Sequence, residues 1–157
     1  MGRFQPELSQ FLKTLSDERK KRRVVFTNGC FDLLHVGHIR YLQDARNLGD
    51  YLVVGINSDA SVKKLKGPAR PLQNELDRLE IIAALECVNL ATLFGEDTPE
   101  ALIRHVRPDV LVKGGDWPIE KIAGAQFVLS YGGEVRSLQF VEGHSTTGLI
   151  KKMDHNR

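Results

Sequence analysis

Residues 27–38 read TNGCFDLLHVGH, and this stretch decides the fold. The run before it, RVVFT at residues 23–27, is rich in β-branched residues and is typical of a strand. After it, apolar residues repeat at helical spacing from Val36 to Ala45, and Gly49 follows, as glycine often does just past a helix end. The stretch is therefore predicted to be a glycine-containing turn between a strand and a helix over residues 35–47.

The rest of the chain continues this alternation of strands and helices. Asn74, Thr98 and Ser145 each stand where a helix N-cap is expected, and Pro99 suits the first helical position after Thr98. Residues 63–71, KKLKGPARP, predict a mobile surface loop. The predicted strands cover residues 23–27, 51–56, 88–94, 110–112 and 135–141. We therefore expect an α/β fold, a Rossmann-like doubly wound parallel sheet of about five strands with helices on both faces.

The length and composition fit one globular domain preceded by a helix. The chain has 157 residues, of which 41% are hydrophobic and 27% are charged, and this is an ordinary globular balance. Apolar residues at helical spacing predict an amphipathic helix over residues 5–20. We therefore expect an N-terminal helix at residues 1–22 and a single domain at residues 23–157.

Charge, hydropathy and cysteine usage exclude several classes of protein. The net charge of +2 does not favour nucleic acid as a partner. No apolar run approaches the roughly 20 residues that cross a bilayer, and the N-terminus lacks the apolar stretch of a secretory signal. Cys30 and Cys87 lie far apart and fit free thiols in a reducing compartment. We expect a cytoplasmic protein with neither a membrane nor a nucleic acid as its partner.

The turn at residues 27–38 is also expected to bind a ligand. In open parallel sheets the ligand lies beyond the carboxyl ends of the strands, near the switch in strand order. Backbone N–H groups and the dipole of the following helix favour an anion there, and Gly29 and Gly37 let a phosphate approach the backbone closely. The loops expected around this site follow Phe26, Ile56, Val112 and Val141.

Two histidines, His35 and His38, carry the chemistry of this turn. They lie three residues apart on one helical face, where two imidazoles can donate to phosphate oxygens. This arrangement suits a phosphoryl transfer in which charge grows on those oxygens. The alternative is that one histidine packs in the helix and the other lies on the surface. A zinc site is less favoured, because helical zinc-binding histidines are usually four residues apart with an acidic companion. His144, near the last strand, is a further candidate for the site.

The run GCFDLLHVGH resembles the signature of the cytidylyltransferase-like nucleotidyltransferases. The resemblance extends from about Arg23 to Lys152 and includes GGDW at residues 114–117 and STT at residues 145–147. The segments TNGCFDLLHVGH, LVVGINSDAS, LKGPARP, VKGGDW and GHSTTGLIKK are most similar to members that transfer AMP from ATP to D-glycero-β-D-manno-heptose 1-phosphate for lipopolysaccharide synthesis. In many relatives the domain follows a sugar kinase, for which this chain has no room, so the resemblance implies the stand-alone form.

The resemblance assigns a role to each of these elements. His35, His38 and Lys66 would be catalytic, with the histidines holding the triphosphate and Lys66 closing over phosphates from a flexible loop. Mg²⁺ would be carried by the triphosphate rather than by a protein metal site. The other nucleotide-binding residues would be Asn28, Gly29, Cys30, Phe31, Gly37, Asp116, Trp117, Ser145, Thr146 and Thr147. The residues that bind the sugar phosphate would be Asp32, Lys64 and Arg78, the last by a bidentate grip.

One position departs from the pattern of a neighbouring branch of the family. Cytidylyltransferases of the glycerol-phosphate type carry an arginine shortly before the serine of the last motif, where this chain has Phe140. This difference argues against CTP as the nucleotide. The alternatives that remain are a cytidylyltransferase or adenylyltransferase acting on another phosphorylated acceptor, or a non-catalytic ATP-binding module. We also expect a homo-oligomer, with a dimer favoured.

Overall fold

The computed structural model describes residues 3–156. Residues 1 and 2 of the predicted N-terminal helix and residue 157 of the predicted domain lie outside the described residues. The strands of this part of the chain are β1 (Arg3–Phe4), β2 (Val24–Gly29), β3 (Tyr51–Asn57), β4 (Leu90–Phe94), β5 (Val110–Gly114) and β6 (Glu134–Leu138). The helices are α1 (Leu8–Glu18), α2 (Val36–Arg46), α3 (Asp59–Lys66), α4 (Glu75–Ala83), α5 (Glu100–Val106), α6 (Ala125–Ser130) and α7 (Thr146–His155). All of these strands form one parallel sheet in the order β1-β4-β3-β2-β5-β6. The predicted doubly wound α/β fold is confirmed.

The strand order switches at β2, the strand that leads into the predicted turn. β3 lies on one side of β2 and β5 on the other. β2 pairs with β3 along its whole length, whereas its pairs with β5 are Val25–Val110 and Phe26–Leu111, in the amino-terminal half of β2. The carboxyl ends of β2 and β5 therefore separate, and a cleft opens between them. This is the position at which doubly wound sheets bind their ligands.

Apolar side chains cover both faces of the sheet. One face packs against α1, α5 and α6, where Phe11, Ile103 and Val128 are fully buried. The other face packs against α2 and α4, where Leu42 and Leu79 are fully buried. Because β3 is buried on both faces, its sequence is a continuous apolar run rather than an alternating one. The N-terminal helix α1 therefore belongs to the same core as the sheet.

Three short elements were not predicted from the sequence. β1 has two residues, α6 has six, and a single 3₁₀ turn at Ile119–Lys121 precedes α6. Elements of this length carry too few residues to establish a period, and the N-cap of α6 is Gly124 at φ 83°, with no side chain that could cap it. Along residues 3–156, no helix combines the length and the apolar character that crossing a bilayer requires.

The predicted mobile loop over residues 63–71 is wrong in its first half. α3 extends through Lys66 because Ser58 caps it, accepting a hydrogen bond from the Ser61 N–H at 3.2 Å, and because Val62 is fully buried. Both signals lie before the basic run on which the loop prediction rested. Gly67, at φ 98°, then ends the helix in a conformation that glycine adopts without strain.

The other predicted helix starts are mostly correct. Asn74 and Ser145 cap α4 and α7, accepting hydrogen bonds from backbone N–H groups three residues ahead, at 2.9 Å in both helices. The predicted cap at Thr98 is wrong by one residue. α5 begins at Glu100 with Pro99 in the N-cap position, a shift within the usual uncertainty of helix ends.

Candidate active site

Two adjoining cavities lie where the carboxyl ends of β2 and β5 separate. The first has a volume of about 200 Å³ and the second about 300 Å³. They share a wall formed by Asn28, Gly29 and Cys30 of the predicted turn and by Lys113 at the end of β5. The rest of the first cavity is lined by Phe31, Asp32, His38, Tyr41, Lys66, Gly114, Phe140 and Thr146. The rest of the second is lined by Asn57, Leu65, Asp97, Thr98, Pro99, Trp117, Lys121, Ile122 and Ala123.

The first turn of α2 fixes the orientation and the protonation of His38. Its Nδ1 accepts a hydrogen bond from the backbone N–H of His35 at 3.3 Å, so the proton of the neutral ring lies on Nε2. Burial lowers the pKa of His38 to about 4, with further lowering from His35 and Lys66. At neutral pH this side chain is therefore an uncharged imidazole with an Nε2–H donor that no described residue engages.

His35 supports His38 rather than lining the first cavity itself. The two rings stack with their centroids 3.9 Å apart, and the centroid of the His144 ring lies 6.3 Å from that of His35. Burial and the neighbouring His144 lower the pKa of His35. Nδ1 of His35 is buried and has no hydrogen-bond partner among the described residues. The His35 ring therefore packs most closely against the ring of His38.

The two glycines of the turn make room for side chains. A Cβ atom on Gly37 would lie 2.9 Å from the ring of His35, and a Cβ atom on Gly29 would lie 2.9 Å from the ring of Phe31. Phe31 itself adopts a left-handed backbone conformation at φ 48°, which is uncommon for an aromatic residue. Both positions therefore need glycine, because the neighbouring rings of Phe31 and His35 leave no room for a side chain.

The carboxylate of Asp32 is committed to the protein. It accepts hydrogen bonds from Arg70 Nε at 2.7 Å, from the backbone N–H of Leu72 at 2.9 Å and from that of Gln73 at 3.0 Å. Burial alone would raise its pKa, but these hydrogen bonds outweigh burial and the pKa is lowered. Asp32 was expected to hold the metal or the sugar phosphate. In the structure, Asp32 instead links residues 70–73 to the turn through these hydrogen bonds.

The expected phosphate grip of Arg78 is corrected by its burial. Its side chain is fully buried and donates to the carbonyl oxygens of Cys30 at 2.7 Å and Gln73 at 3.0 Å, and to Asp59 Oδ1 at 2.8 Å. A guanidinium engaged in this way has no access to a substrate in the cleft. Arg78 therefore joins α4, the amino end of α3 and the turn at Cys30 from inside the protein.

The lysines divide between the cavity and the surface. Lys66 lines the first cavity, but it does so from the end of α3 and not from the flexible loop that its expected role assumed. Lys64 instead lines neither cavity and forms an exposed ion pair, at 3.0 Å, with Asp97 at the edge of the second cavity. Lys113 lies on the shared wall and was not singled out from the sequence. Its signal was its place directly before Gly114, at the carboxyl end of a predicted strand.

The last motif contributes one hydroxyl to the first cavity. Thr146 lines it and donates from Oγ1 to the carbonyl oxygen of Leu33 at 2.9 Å. Ser145 is occupied as the N-cap of α7, and Thr147 is exposed beyond the lining of either cavity. Asp116, expected beside the nucleoside, is exposed and lines neither cavity.

Two aromatic rings, those of Phe140 and Tyr41, form part of the wall of the first cavity. The rings of Phe140 and Tyr41 lie 5.7 Å apart, and Gly114 permits this because a Cβ atom there would meet the Phe140 ring at 2.5 Å. Tyr41 is buried, its hydroxyl is 2.6 Å from Thr27 Oγ1, and burial raises its pKa to about 12. Tyr41 was missed, although it lies three residues after His38 and hence on the same helical face.

A switch-point cleft with imidazole and lysine donors and the amino end of a helix is suited to anionic phosphates. The class of protein that this fold and this site define is the nucleotidyltransferases. Residues 26–149 match the profile of the family described as cytidylyltransferase-like, and the chain belongs to this family.

Curated relatives and solved structures support the same family. The chain is 56% identical over 137 residues to the "Bifunctional protein HldE" of Syntrophotalea carbinolica, covering 87% of this chain and 28% of that protein. It is 52% identical over 147 residues to the protein of the same name from Pseudomonas syringae, covering 93% and 31%. The chain thus spans less than a third of the length of these relatives.

Two solved structures resemble the fold. A lipopolysaccharide core biosynthesis protein from Thermoplasma volcanium has a TM-score of 0.62 and 31% identity, over 78% of this chain and 99% of that one. A pantoate-β-alanine ligase from Francisella tularensis, bound to an ATP analogue and β-alanine, has a TM-score of 0.58 over 88% of this chain and 67% of that one. At 13% identity, the second shares the fold alone.

Proposed function

We propose that this protein transfers AMP from ATP to D-glycero-β-D-manno-heptose 1-phosphate, giving ADP-heptose and pyrophosphate for lipopolysaccharide synthesis. The observation that carries the transfer is His38, whose neutral ring offers an Nε2–H donor beside Lys66 and Lys113. The choice of a heptose acceptor rests on the five segments that resemble heptose-phosphate adenylyltransferases. The similarity to a lipopolysaccharide core biosynthesis protein supports it.

The reaction needs no nucleophilic side chain. An anionic oxygen of the sugar 1-phosphate attacks the α-phosphorus of ATP, and the bond from that phosphorus to the oxygen bridging to the β-phosphate breaks. Pyrophosphate leaves with the electron pair of that bond, and no proton has to be taken from the attacking oxygen. The protein therefore has to align two anionic substrates and to neutralise the charge that develops between them.

The residues of the first cavity match this task. His38 donates from Nε2 to a phosphate oxygen, and this hydrogen bond strengthens as negative charge grows on that oxygen. Lys66 and Lys113 supply cationic charge from α3 and β5. The backbone N–H groups at the amino end of α7, beside Thr146, offer donors to the outer phosphates. His35 acts on the reaction through His38, by holding its ring in place.

The same cavity fits a magnesium ion that arrives on the triphosphate. Asp32 contributes a carboxylate to the wall, but its oxygens already accept hydrogen bonds from Arg70 and two backbone N–H groups. The ligands of the ion would therefore be phosphate oxygens and water, the environment that Mg²⁺ prefers. When bound, Mg²⁺ would supply charge neutralisation along the triphosphate.

We further propose that the reaction takes place in the cytoplasm, where ATP is available and where Cys30 and Cys87 stay reduced. The protein is proposed to act as a homodimer. Sedimentation equilibrium tests this last point, with a mass of twice 17.6 kDa expected. A monomer at micromolar concentration would contradict the dimer and leave the proposed chemistry intact.

The experiment that tests the function is pyrophosphate release with ATP, CTP, GTP and UTP against a panel of sugar phosphates. ATP with heptose 1-phosphate is expected to be fastest. We expect ATP to be preferred over CTP by at least about tenfold in kcat/KM, or ~1.4 kcal/mol, because the wall of Phe140 and Tyr41 offers more contact to a purine. Equal or faster turnover of CTP would refute the adenylyltransferase proposal. Pyrophosphate release with none of the pairs would leave the non-catalytic ATP-binding module.

A further inference from the structure

The second cavity has the lining of a carbohydrate site. A transfer between two substrates needs two sites that meet at the reacting phosphorus, and the two cavities meet at residues 28–30 and Lys113. Away from that shared wall, the second cavity offers the carboxylate of Asp97, the hydroxyl of Thr98 and the ring of Trp117. Carboxylate and hydroxyl oxygens accept hydrogen bonds from sugar hydroxyls, and an aromatic ring packs against the C–H face of a sugar.

We infer that the second cavity binds the sugar of the acceptor, with Trp117 as the surface under its C–H face and Asp97 as an acceptor for its hydroxyls. The inference rests on the proposed function, because it identifies the part of the site that selects the acceptor of that reaction. It departs from the role that the family resemblance gave to Trp117, which was to border the nucleoside. Trp117 lines the second cavity, and His38 and Thr146 line the first.

The backbone of Trp117 is anchored, and its ring is open to a ligand. The Trp117 N–H donates to Ser137 Oγ at 3.2 Å, and a Cβ atom on Gly115 would lie 3.0 Å from the indole Nε1. The side chain is nevertheless 48% exposed. Lys113 Nζ lies 5.7 Å from the ring centroid. A sugar resting on this ring therefore has a cation beside it, at the shared wall where its 1-phosphate must reach the α-phosphorus.

Asp97 comes from the loop after β4, on the far side of β3 from the shared wall. Its Oδ1 is paired with Lys64 at 3.0 Å, and its Oδ2 accepts no hydrogen bond from any residue of the described chain. The carboxylate therefore keeps one oxygen free at the edge of the second cavity. Lys64, which the sequence assigned to the acceptor phosphate, acts on the acceptor by orienting this carboxylate.

Fluorescence provides a test that does not depend on turnover. Trp117 is the only tryptophan of the sequence, so the emission of the protein reports on this ring. Heptose 1-phosphate, titrated into protein saturated with a non-hydrolysable ATP analogue and Mg²⁺, is expected to change the emission in a saturable way. The analogue alone is expected to change it far less. A full change with the analogue and none with the sugar phosphate would overturn the inference in favour of the nucleoside role.

Kinetics separate the sugar site from the nucleotide site. Asp97→Asn should raise the KM for heptose 1-phosphate about five- to tenfold, the usual effect of weakening one hydrogen bond to a substrate, with the KM for ATP within about twofold of wild type. Trp117→Ala should raise the acceptor KM further, and Trp117→Phe should restore most of the loss because it keeps an aromatic face. Glu100→Gln is the matched control, since it removes the carboxylate of an exposed ion pair that, unlike that of Asp97, lies outside both cavities.

These measurements distinguish failure of the inference from failure of the proposed function. Wild-type protein that turns over heptose 1-phosphate, with acceptor KM values unchanged in both Asp97→Asn and Trp117→Ala, overturns the sugar site and leaves the proposed reaction standing. Wild-type protein that uses no sugar phosphate refutes the proposed reaction, and the sugar site with it. Circular dichroism of each variant shows whether a raised KM comes from a folded protein.

Discussion

Replacing Arg78 by lysine distinguishes a buried structural role from a role in binding substrate. The substitution keeps a positive charge but replaces a planar group with five donors by a single nitrogen. In the structure, the three acceptors of Arg78 belong to separate segments, at Cys30, Asp59 and Gln73. One ammonium group cannot reach all three positions. We therefore expect lysine to keep one of these hydrogen bonds and to lose two.

The expected loss of stability follows from the burial of these groups. Each lost hydrogen bond to a charged group costs about 1.5–3 kcal/mol when its partner stays dry. The side chain of Asp59 is 35% exposed, so water compensates part of its loss. We therefore expect Arg78→Lys to lower the free energy of unfolding by about 2–4 kcal/mol. For a domain of this size, that corresponds to a fall in Tm of roughly 5–15 °C.

Thermal unfolding followed by circular dichroism measures this loss, and acceptor KM values at a temperature well below Tm complete the assay. Arg104→Lys is the control, because Arg104 forms an exposed pair with Glu100 and its substitution should cost under about 0.5 kcal/mol. A substrate-binding Arg78 makes the opposite prediction. A Tm within about 1 °C of wild type, together with a tenfold rise in acceptor KM, would refute the structural role.

Three further predictions concern the turn that bears the histidines. His38→Ala should lower kcat by roughly two to four orders of magnitude, while the affinity for ATP, measured by calorimetry, changes little. The control is His155→Ala, because His155 is exposed. A near-normal kcat of His38→Ala would contradict the donor role. Gly37→Ala should lower kcat by at least about tenfold in a folded protein, because the new Cβ lies 2.9 Å from the ring of His35; full activity would show that the position of this ring is unimportant. The pKa of His38, lowered to about 4, predicts that its ring signals in NMR stay those of a neutral imidazole from pH 8 to about pH 5 in the free protein. Because this pKa is lowered, folding should lose stability as the pH falls from about 6.5 to about 4. Titration of His38 near pH 6.5 would contradict a buried and neutral ring.

The elements that could be predicted from the sequence are those whose signals are local and repeated. The run of buried apolar residues in β3 and the glycine after α2 needed no tertiary information, and the Asn74 cap sits beside the helix it begins. β1 could not be predicted in this way, because two residues become a strand only when β4 offers an edge to pair with. The second half of α3 was predicted to be a loop because it is rich in basic residues, although Ser58 is a helix cap a few residues earlier.

For the site, residue type and position in the chain were reliable, and side-chain direction was not. His38, Lys66 and Thr146 follow or precede predicted strands closely enough that the fold brings them to one cavity. Asp32 and Arg78 also lie near the predicted site, yet the side chains of both form hydrogen bonds with other protein groups. No pattern in the sequence distinguishes an arginine that binds a phosphate from one that binds carbonyl oxygens. Asp97 was missed because the loop after β4 was not among those expected around the ligand.

The strand β1 has a consequence for the behaviour of the protein in concentrated solution. Beside β1, the Gln5 N–H donates to the carbonyl oxygen of Ala91 at 3.0 Å, and Thr92 Oγ1 donates to the carbonyl oxygen of Gln5 at 2.8 Å. A chain cut just before Pro6 would keep every residue of both cavities but would leave the apolar strand β4 as a bare edge. Such edges are templates for pairing with another chain. Its solutions should scatter more light as they are concentrated, while its specific activity at high dilution stays that of the full chain. A few residues near the amino end therefore determine the concentration at which this protein begins to self-associate.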